Sequence, residues 1–266
     1  MTVGFSGEVA EYYAKFRRGY PERVLDRLQD YFSLAWEDSV LDIGCGTGQL
    51  ALPLADRVRS VIGMDPEPDM LRLAREAASE REVRNIAWVL GADTDVPALA
   101  GLLGRAPSLA MAVVGQALHW MRHEELFRDL LPLFRAGGGG GVAVVANGAP
   151  LWLQDAAWSR ALRHCLERHF ETELTASCGT AARDRSRYAQ ALENAGFSDL
   201  RSTTVSYTDE LSFQQVIGGL YSAIPAEQLP SADRRPAFEA SIRKALPGEE
   251  PFPEHVNVSL LVGRAG

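Results

Sequence analysis

The stretch Ser39-Val-Leu-Asp-Ile-Gly-Cys-Gly-Thr-Gly-Gln-Leu50 decides the fold. Val40-Leu41-Asp42-Ile43 reads as a short buried strand, apolar and partly β-branched. It runs into Gly44, Gly46 and Gly48 and then into an apolar helical pattern. Strand, glycine turn and helix in that order let a backbone approach a ligand closely and aim free N–H groups at it. The spacing is Gly-x-Gly-x-Gly. Position 49 is Gln, so the Gly-x-Gly-x-x-Gly of dinucleotide sites is missing.

Downstream, strands and helices alternate. Leu50 to Asp56 is the first core helix, and Ser60 to Met64 is a second strand that ends in Asp65. A carboxylate at that strand tip, 17 residues beyond Gly48, can accept both hydroxyls of a ribose. Pro66 to Ser79 places Met70, Leu71, Ala74, Ala77 and Ala78 on one helical face. Ile86 to Leu90 is a third strand, followed by Gly91-Ala92-Asp93, where the carboxylate either accepts from an adenine amino group or caps a turn. Leu109 to Val114 is the fourth, leading into Gly115-Gln116-Ala117-Leu118-His119-Trp120. A helix from His123 toward Arg135 is ended or kinked by Pro132. The glycine run 137–141 is a flexible turn before a fifth strand, Val142 to Ala146. It is not a phosphate cradle, because no Lys-Ser/Thr follows it.

The flanks read differently. Residues 8 to 35 carry two helical patterns, the second opening at Pro21 with Val24, Leu25, Leu28, Tyr31 and Phe32 on one face. The aromatic, basic segment Tyr12 to Pro21 is either a cap on the core or a lid over the glycine turn. After Asn147 the alternation breaks. Asp155 to Phe170 is helical, with His164 and His169 on its flanks and no metal partner at i+4. Asp184 caps a helix that Gly196 stops, and Leu200 to Tyr207 is a strand. Ser212 opens a helix whose stripe Phe213, Val216, Ile217, Leu220, Tyr221 and Ile224 is core packing or a substrate wall. Asp233 to Leu246 is a further helix, and His255 to Val262 is a last strand entering antiparallel as a hairpin-like edge. The expected division is a lid over 1–35, a ligand-binding core over 36–148, and a helical substrate lid plus the last two strands over 149–266.

Composition bounds the function. The 266 residues, 46% hydrophobic, suffice for a large core. A net charge of −8, from 27 basic and 35 acidic side chains, argues against a nucleic-acid backbone as partner and mildly favours a cationic substrate. Cys45, Cys165 and Cys178 are an odd number without a Cys-x-x-Cys pair, which fits a reducing cytoplasm and no structural zinc. No run approaches a membrane span, and the first residues lack a secretory leader, so a cytoplasmic protein is expected.

This succession resembles the class I S-adenosylmethionine-dependent methyltransferases, in particular the small-molecule branch with the ubiquinone/menaquinone-type and trans-aconitate-type enzymes. The resemblance covers residues 5 to about 147. It implies a Rossmann-like, doubly wound α/β fold with a seven-stranded sheet, an antiparallel last strand and a helical lid. It implies that Asp42, Gly44, Cys45, Gly46 and Gly48 line the methionine moiety of S-adenosylmethionine. Asp65 and Pro66 would hold the ribose, Met70 would pack on the adenine, and Asp93 with Thr94 would read its amino group. Tyr13 and Arg17 match a lid motif, with Arg17 placed to pair with the cofactor's carboxylate. Gln116 and His119 would face the methyl group. The chain departs from the pattern at Arg18, where proline is usual, at Met121-Arg122, where Phe-Asp is commoner, and at Ala136-Gly137-Gly138, in place of Pro-Gly-Gly.

A sulfonium supplies its own leaving group, so the protein's task is to align a nucleophile and exclude water. An amine or hydroxyl acceptor must also lose a proton. His119 is the candidate base, with a helix-capping role as the alternative. Tyr20, Trp120, Trp152, Trp158, Phe213 and Tyr221 are candidate substrate walls. The acidic balance suits N-methylation of an amine or aminosugar, and the arginine bias and generic lid resemble antibiotic-pathway methyltransferases. O-methylation of a carboxylate or hydroxyl metabolite and a non-catalytic cofactor-binding protein remain the alternatives. A monomer or homodimer is expected, without nucleic acid, membrane or metal. A nicotinamide dehydrogenase would need glycine at position 49. A nucleic-acid methyltransferase would need a basic groove and an Asn/Asp-Pro-Pro-Tyr-like loop, where this chain has Gly115-Gln-Ala-Leu118.

Overall fold

The computed structural model describes residues 4–102, 108–135 and 139–266. Its centre is a seven-stranded sheet. The parallel strands are β1 (Ser39–Ile43), β2 (Ser60–Asp65), β3 (Ile86–Leu90), β4 (Leu109–Gly115) and β5 (Gly141–Asn147). Two long antiparallel strands, β6 (Phe197–Leu211) and β7 (Phe252–Ala265), complete it in the order β3-β2-β1-β4-β5-β7-β6. β4 and β5 are buried over six of their seven positions, as expected for parallel strands covered on both faces.

Helices α1 (Glu8–Phe16) and α2 (Glu22–Phe32) precede the sheet; α3 (Ala51–Ala55), α4 (Pro68–Glu80), α5 (Val96–Leu102) and α6 (His123–Leu130) cross over between its strands. α7 (Ala157–Phe170), α8 (Ala182–Ala195), α9 (Phe213–Tyr221) and α10 (Arg235–Ala245) follow. On one face of the sheet, Val24, Leu25, Leu28 and Phe32 of α2 pack with Ala51 and Leu54 of α3. On the other, Leu126, Phe127 and Leu130 of α6 pack with Leu192 of α8. Thus α2 packs within the core, whereas α1 and the segment after it lie toward the ligand end. A separate cluster joins Trp158, Leu162 and Leu166 of α7 to α9, α10 and the tips of β6 and β7.

Several boundaries differ from those expected of the sequence. β7 is not an edge: it lies between β5 and β6, and β6 is the edge strand. Asp184 sits inside the first turn of α8, which begins after Ala181, and its carboxylate accepts from Ser177 Oγ (2.7 Å) instead of capping the helix. Pro21 is the N-cap of α2, and Pro132 ends α6 in a short 3-10 turn, as its missing N–H requires. Residues 136–138, which include the first two of the glycine run, lie outside the described residues.

The ribbon formed by β6 and β7 shapes the ligand end of the molecule. β5 pairs with β7 only as far as Asn147 opposite Val258, whereas β6 and β7 stay paired to Leu211 opposite Phe252. The ribbon therefore overhangs the carboxyl edge of the parallel strands, where open α/β sheets place their ligands. It carries Asp209, Leu211 and Glu254 there.

Candidate functional site

The glycine turn is fastened to β2 before any ligand is considered. The N–H groups of Gly44 and Cys45 both donate to Met64 O (2.8 and 3.1 Å). Gly46 N donates to Asp65 Oδ2 and Glu67 N to Asp65 Oδ1, each at 2.9 Å. Asp65 thus orients the turn with one lone pair on each oxygen and keeps the others for a ligand. Gly44 has φ +68°, and a Cβ there would come 2.6 Å from Ala117 Cβ, because the loop after β4 lies directly against it. Gly48 has φ +87°, and a Cβ there would crowd Trp88 at 3.1 Å.

Above this turn is a cavity of about 580 Å³, within the range of small-molecule sites. Its donor end is floored by Asp42, the glycine turn, Asp65 and the buried Glu67, with Pro66 and Met70 at the side. Tyr13 of α1 roofs it, its ring edge-on to Phe5 (5.9 Å between centroids). Arg17 lies over the Tyr13 ring at 5.3 Å. The loop after β4 supplies Gln116, His119 and Trp120, the last 59% exposed at the rim. The opposite end is mainly apolar: Phe16, Leu151, Trp152, Leu211 and Gly219, with Arg18, Asn147 and Asp209 among them. Tyr20 lies between the two ends, against Gly115.

Burial sets the electrostatics. Asp42 is 1% exposed, and desolvation, reinforced by the charge of Asp65, pushes its carboxyl up to about 8. Asp65 is raised by desolvation against the opposing pull of its two backbone N–H donors. Desolvation raises the Tyr13 phenol, and that of Tyr20 well above its ordinary value. It holds the His119 imidazole down to about 4, against a weak opposing pull from Asp184, so His119 is neutral at pH 7. Gln116 has φ +53°, a left-handed conformation that costs a non-glycine residue about 1–3 kcal/mol and clusters at functional sites.

Three buried polar atoms here lack a hydrogen-bond partner: Asp42 Oδ2, Gln116 Oε1 and Arg17 Nε. The first two accept and the third donates. A group bearing both a cation and an anionic oxygen satisfies all three, and the zwitterionic amino-acid end of S-adenosylmethionine is such a group. Among the described residues no cluster of three or more His, Cys, Asp or Glu could hold a metal ion, and no helix is long and apolar enough to cross a membrane.

Of the residues singled out in the sequence, Tyr13, Arg17, Asp42, Gly44, Cys45 and Gly46 line this cavity. So do Asp65, Pro66, Met70 and Gln116 at the donor end, and Tyr20, His119, Trp120 and Trp152. Six do not. Gly48 meets Trp88 and Leu52 instead, serving helix-to-sheet packing. Asp93 accepts from Arg122 N (2.9 Å), and Thr94 is exposed beside it. Trp158 is buried in the lid cluster, its Nε1 donating to Pro253 O (2.7 Å). Tyr221 is buried, its hydroxyl donating to Glu239 (3.0 Å), and Phe213 lies under Arg243 on an outer groove. Sequence reasoning misses Glu67, two residues past the strand-ending Asp65, and Phe16 on the face of α1 that also holds Tyr13. It also misses Asp209 and Leu211, which only the ribbon's overhang brings in.

Arg18 explains its departure from the lid motif. Its Nη2 pairs with Glu254 of β7, a carboxylate 3% exposed that also accepts from Gln154 Nε2, and its Nη1 lies 4.0 Å from Asp209. One buried carboxylate therefore ties the segment after α1 to the 149–156 loop, both of which wall the cavity.

Residues 40–138 match the family described as "Methyltransferase domain". The Saccharomyces cerevisiae protein named "Probable S-adenosylmethionine-dependent methyltransferase CRG1" is 28% identical over 128 residues, covering 48% of this chain and 42% of that one. A Mycobacterium tuberculosis protein named "Uncharacterized methyltransferase Rv3342" is 29% identical over 145 residues, covering 52% of this chain and 50% of its own. The match thus spans about half the length of these relatives, or less. Among solved structures, the YcgJ protein of Bacillus subtilis superposes with a TM-score of 0.57 at 17% identity, covering 92% of this chain and 98% of that one. That likeness speaks to the fold.

Proposed function

We propose that this chain, whose residues 40–138 match a methyltransferase domain, transfers the methyl group of S-adenosylmethionine to a small acceptor held at the apolar end of the cavity. The observation that carries this reading is the set of orphaned buried atoms at the donor end: Asp42 Oδ2, Gln116 Oε1 and Arg17 Nε. In this reading Asp42 and Gln116 receive the cofactor's ammonium and Arg17 its carboxylate. Asp65 and Glu67 take the ribose hydroxyls, and Met70 with Phe5 and Tyr13 encloses the base. S-adenosylmethionine supplies an electrophilic methyl and a neutral leaving group. The chain's contribution is alignment and the exclusion of water by Tyr13, Tyr20 and the apolar wall.

The charges along the cavity bear on the acceptor. The donor end holds Asp42, Asp65 and Glu67. The segment after Tyr13 contributes Lys15, Arg17 and Arg18; with Arg17 given to the cofactor's carboxylate and Arg18 paired with Glu254, Lys15 is left, and it forms no ion pair among the described residues. An acceptor with an anionic oxygen, such as a carboxylate, complements Lys15 and the buried indole N–H of Trp152 better than the amine suggested by net charge. It also needs no base, and a His119 held near 4 is a poor one. Attack by a carboxylate oxygen forms the O–CH3 bond while the S–CH3 bonding pair returns to sulfur, with no proton transferred. N-methylation of an amine or aminosugar is the second reading, favoured by Asp209 on the same wall.

The test has two parts. Calorimetric titration with S-adenosylmethionine and its demethylated thioether should show binding of both; no binding refutes the reading. Methyl-labelled cofactor incubated with a metabolite extract should then label a small molecule. Label released as methanol by mild alkali marks an ester, alkali-stable label marks an amine or ether, and binding without transfer leaves a cofactor-binding protein.

A further inference from the structure

Helix α9 contains two adjacent glycines, Gly218 and Gly219, in the middle of an otherwise regular helix. Each costs about 1 kcal/mol against alanine in a helix interior. Neither is needed for conformation, since both have ordinary negative φ; the positive-φ glycines of the chain lie elsewhere. Space is the remaining reason. A Cβ at Gly218 would fall 2.5 Å from Phe16 Cδ1, inside the ring that α1 lays flat on this helix. A Cβ at Gly219 would fall 2.9 Å from Leu151 Cδ1 and 4.0 Å from its Cγ, with nothing else in reach.

Phe16, Leu151 and Gly219 all line the apolar end of the cavity. Next to Leu151, the indole N–H of Trp152 is buried without a hydrogen-bond partner. An unpaired donor beside an apolar floor fits an acceptor with an oxygen head group and a hydrocarbon body. We propose that Gly218 and Gly219 are specificity-determining residues: their missing side chains seat Phe16 and Leu151 and so set how long an acceptor the cavity takes. This rests on the methyl-transfer reading and adds the acceptor's shape to it.

The two positions act differently. At Gly218 an added methyl displaces an aromatic ring at the end of α1, the helix that also carries Tyr13 over the donor end. At Gly219 it meets only the tip of a flexible leucine, which turns into the cavity. Gly219→Ala should therefore keep the helix, and even gain propensity, while shortening the acceptor end by about one methylene. Each methylene lost from burial lowers affinity about fourfold.

The experiment uses full-length protein saturated with the demethylated cofactor and titrated calorimetrically with straight-chain monocarboxylates of four to ten carbons. Wild-type affinity should climb with chain length to a break. In Gly219→Ala the break should come one or two carbons earlier, with the longest chains at least fourfold weaker. Cofactor affinity should stay within twofold and the melting temperature should not fall. Leu151→Ala added to Gly219→Ala should return the break to at least its wild-type length. An unchanged chain-length profile, a loss of cofactor affinity as large as the loss for the chain, or a failure of the double variant to restore length would each overturn the assignment. Cofactor binding with no carboxylate bound at any length would also overturn it, while leaving the donor half of the proposed function standing.

Discussion

Asp42 makes the donor end sensitive to pH in a way that can be worked out in advance. In the ligand-free protein its carboxyl titrates at about 8, because the side chain is fully desolvated and Asp65 lies near. At pH 7 roughly nine-tenths of the molecules then hold this proton. The amine of the demethylated cofactor sits beside a free carboxylate and not an amide, so it is more basic than a peptide N-terminus and arrives as the ammonium at pH 7 and 8. If the complex pairs an Asp42 carboxylate with that ammonium, binding at pH 7 expels the Asp42 proton, a release of about 0.9 protons. Near pH 8 the release is about 0.5. At pH 9 Asp42 is already ionised and the release has gone. Affinity follows the ionised fraction of Asp42, rising about fiftyfold from pH 6 to pH 8 and flattening above it.

Titrating the demethylated cofactor in pairs of buffers with different ionisation heats measures those protons directly. The loss of release between pH 7 and pH 9 is the decisive reading. Asp42→Asn should bind more weakly and show no release at pH 7. A 5′-alkylthioadenosine without the amino-acid end should show neither release nor uptake. Wild-type binding that moves no protons at pH 7, or a release that Asp42→Asn retains, would refute the assignment of Asp42 to the ammonium.

Three further outcomes are expected. Gln116→Gly should raise stability by about 1 kcal/mol by relieving the left-handed strain, while removing Gln116 Oε1 should cut methyl transfer at least tenfold; melting temperature and labelled-methyl turnover check the two halves separately. His119 is held near 4 in the folded chain against about 6.5 unfolded, so the unfolded state binds the extra proton between those values and stability falls as pH drops through that window. His119→Gln should abolish at most about 3 kcal/mol of that acid sensitivity in denaturant titrations at pH 4.5 and 7. Glu254→Ala should cost about 3 kcal/mol, because it leaves the Arg18 guanidinium largely buried without its partner, whereas replacing both with apolar residues should cost less; chemical denaturation distinguishes these.

The donor half of the site is legible because its determinants are close in sequence. Val40 to Gly48 specifies strand, turn and helix within nine residues, and Asp65 follows from the next strand's end. A carboxylate at a strand tip does not announce its partner, however. Asp65 and Asp93 look alike in the sequence, yet Asp65 takes the N–H groups of the glycine turn and Asp93 takes that of Arg122. Likewise the stripe through Val216, Ile217, Leu220 and Tyr221 marks a buried face without saying what buries it. It packs on α7 and α10, so Trp158, Phe213 and Tyr221, expected as substrate walls, do not line the cavity. The informative signal in α9 is Gly218-Gly219, residues that contribute nothing to a hydrophobic stripe.

The acceptor half is hidden for a physical reason. β6 reads as a shorter strand because most of its outward positions are exposed and polar, the mark of an edge strand, and its alternation shows only near Val205 and beyond. Being the edge, it can run past the sheet beside β7 without burying unpaired backbone, since the two strands satisfy each other to Leu211 and Phe252. That overhang is what sets Glu254 beneath Arg18, 236 residues away in the chain, and Asp209 beside it. Apart from Tyr13 and Arg17, the donor pocket thus rests on local geometry that a change elsewhere barely touches, whereas the acceptor pocket is assembled from Phe16, the 149–156 loop, α9 and the ribbon. Substitutions that alter acceptor choice should therefore concentrate in those four places and leave cofactor affinity nearly unchanged. A survey of variants in which acceptor choice instead followed the β1 to β4 loops would contradict this division.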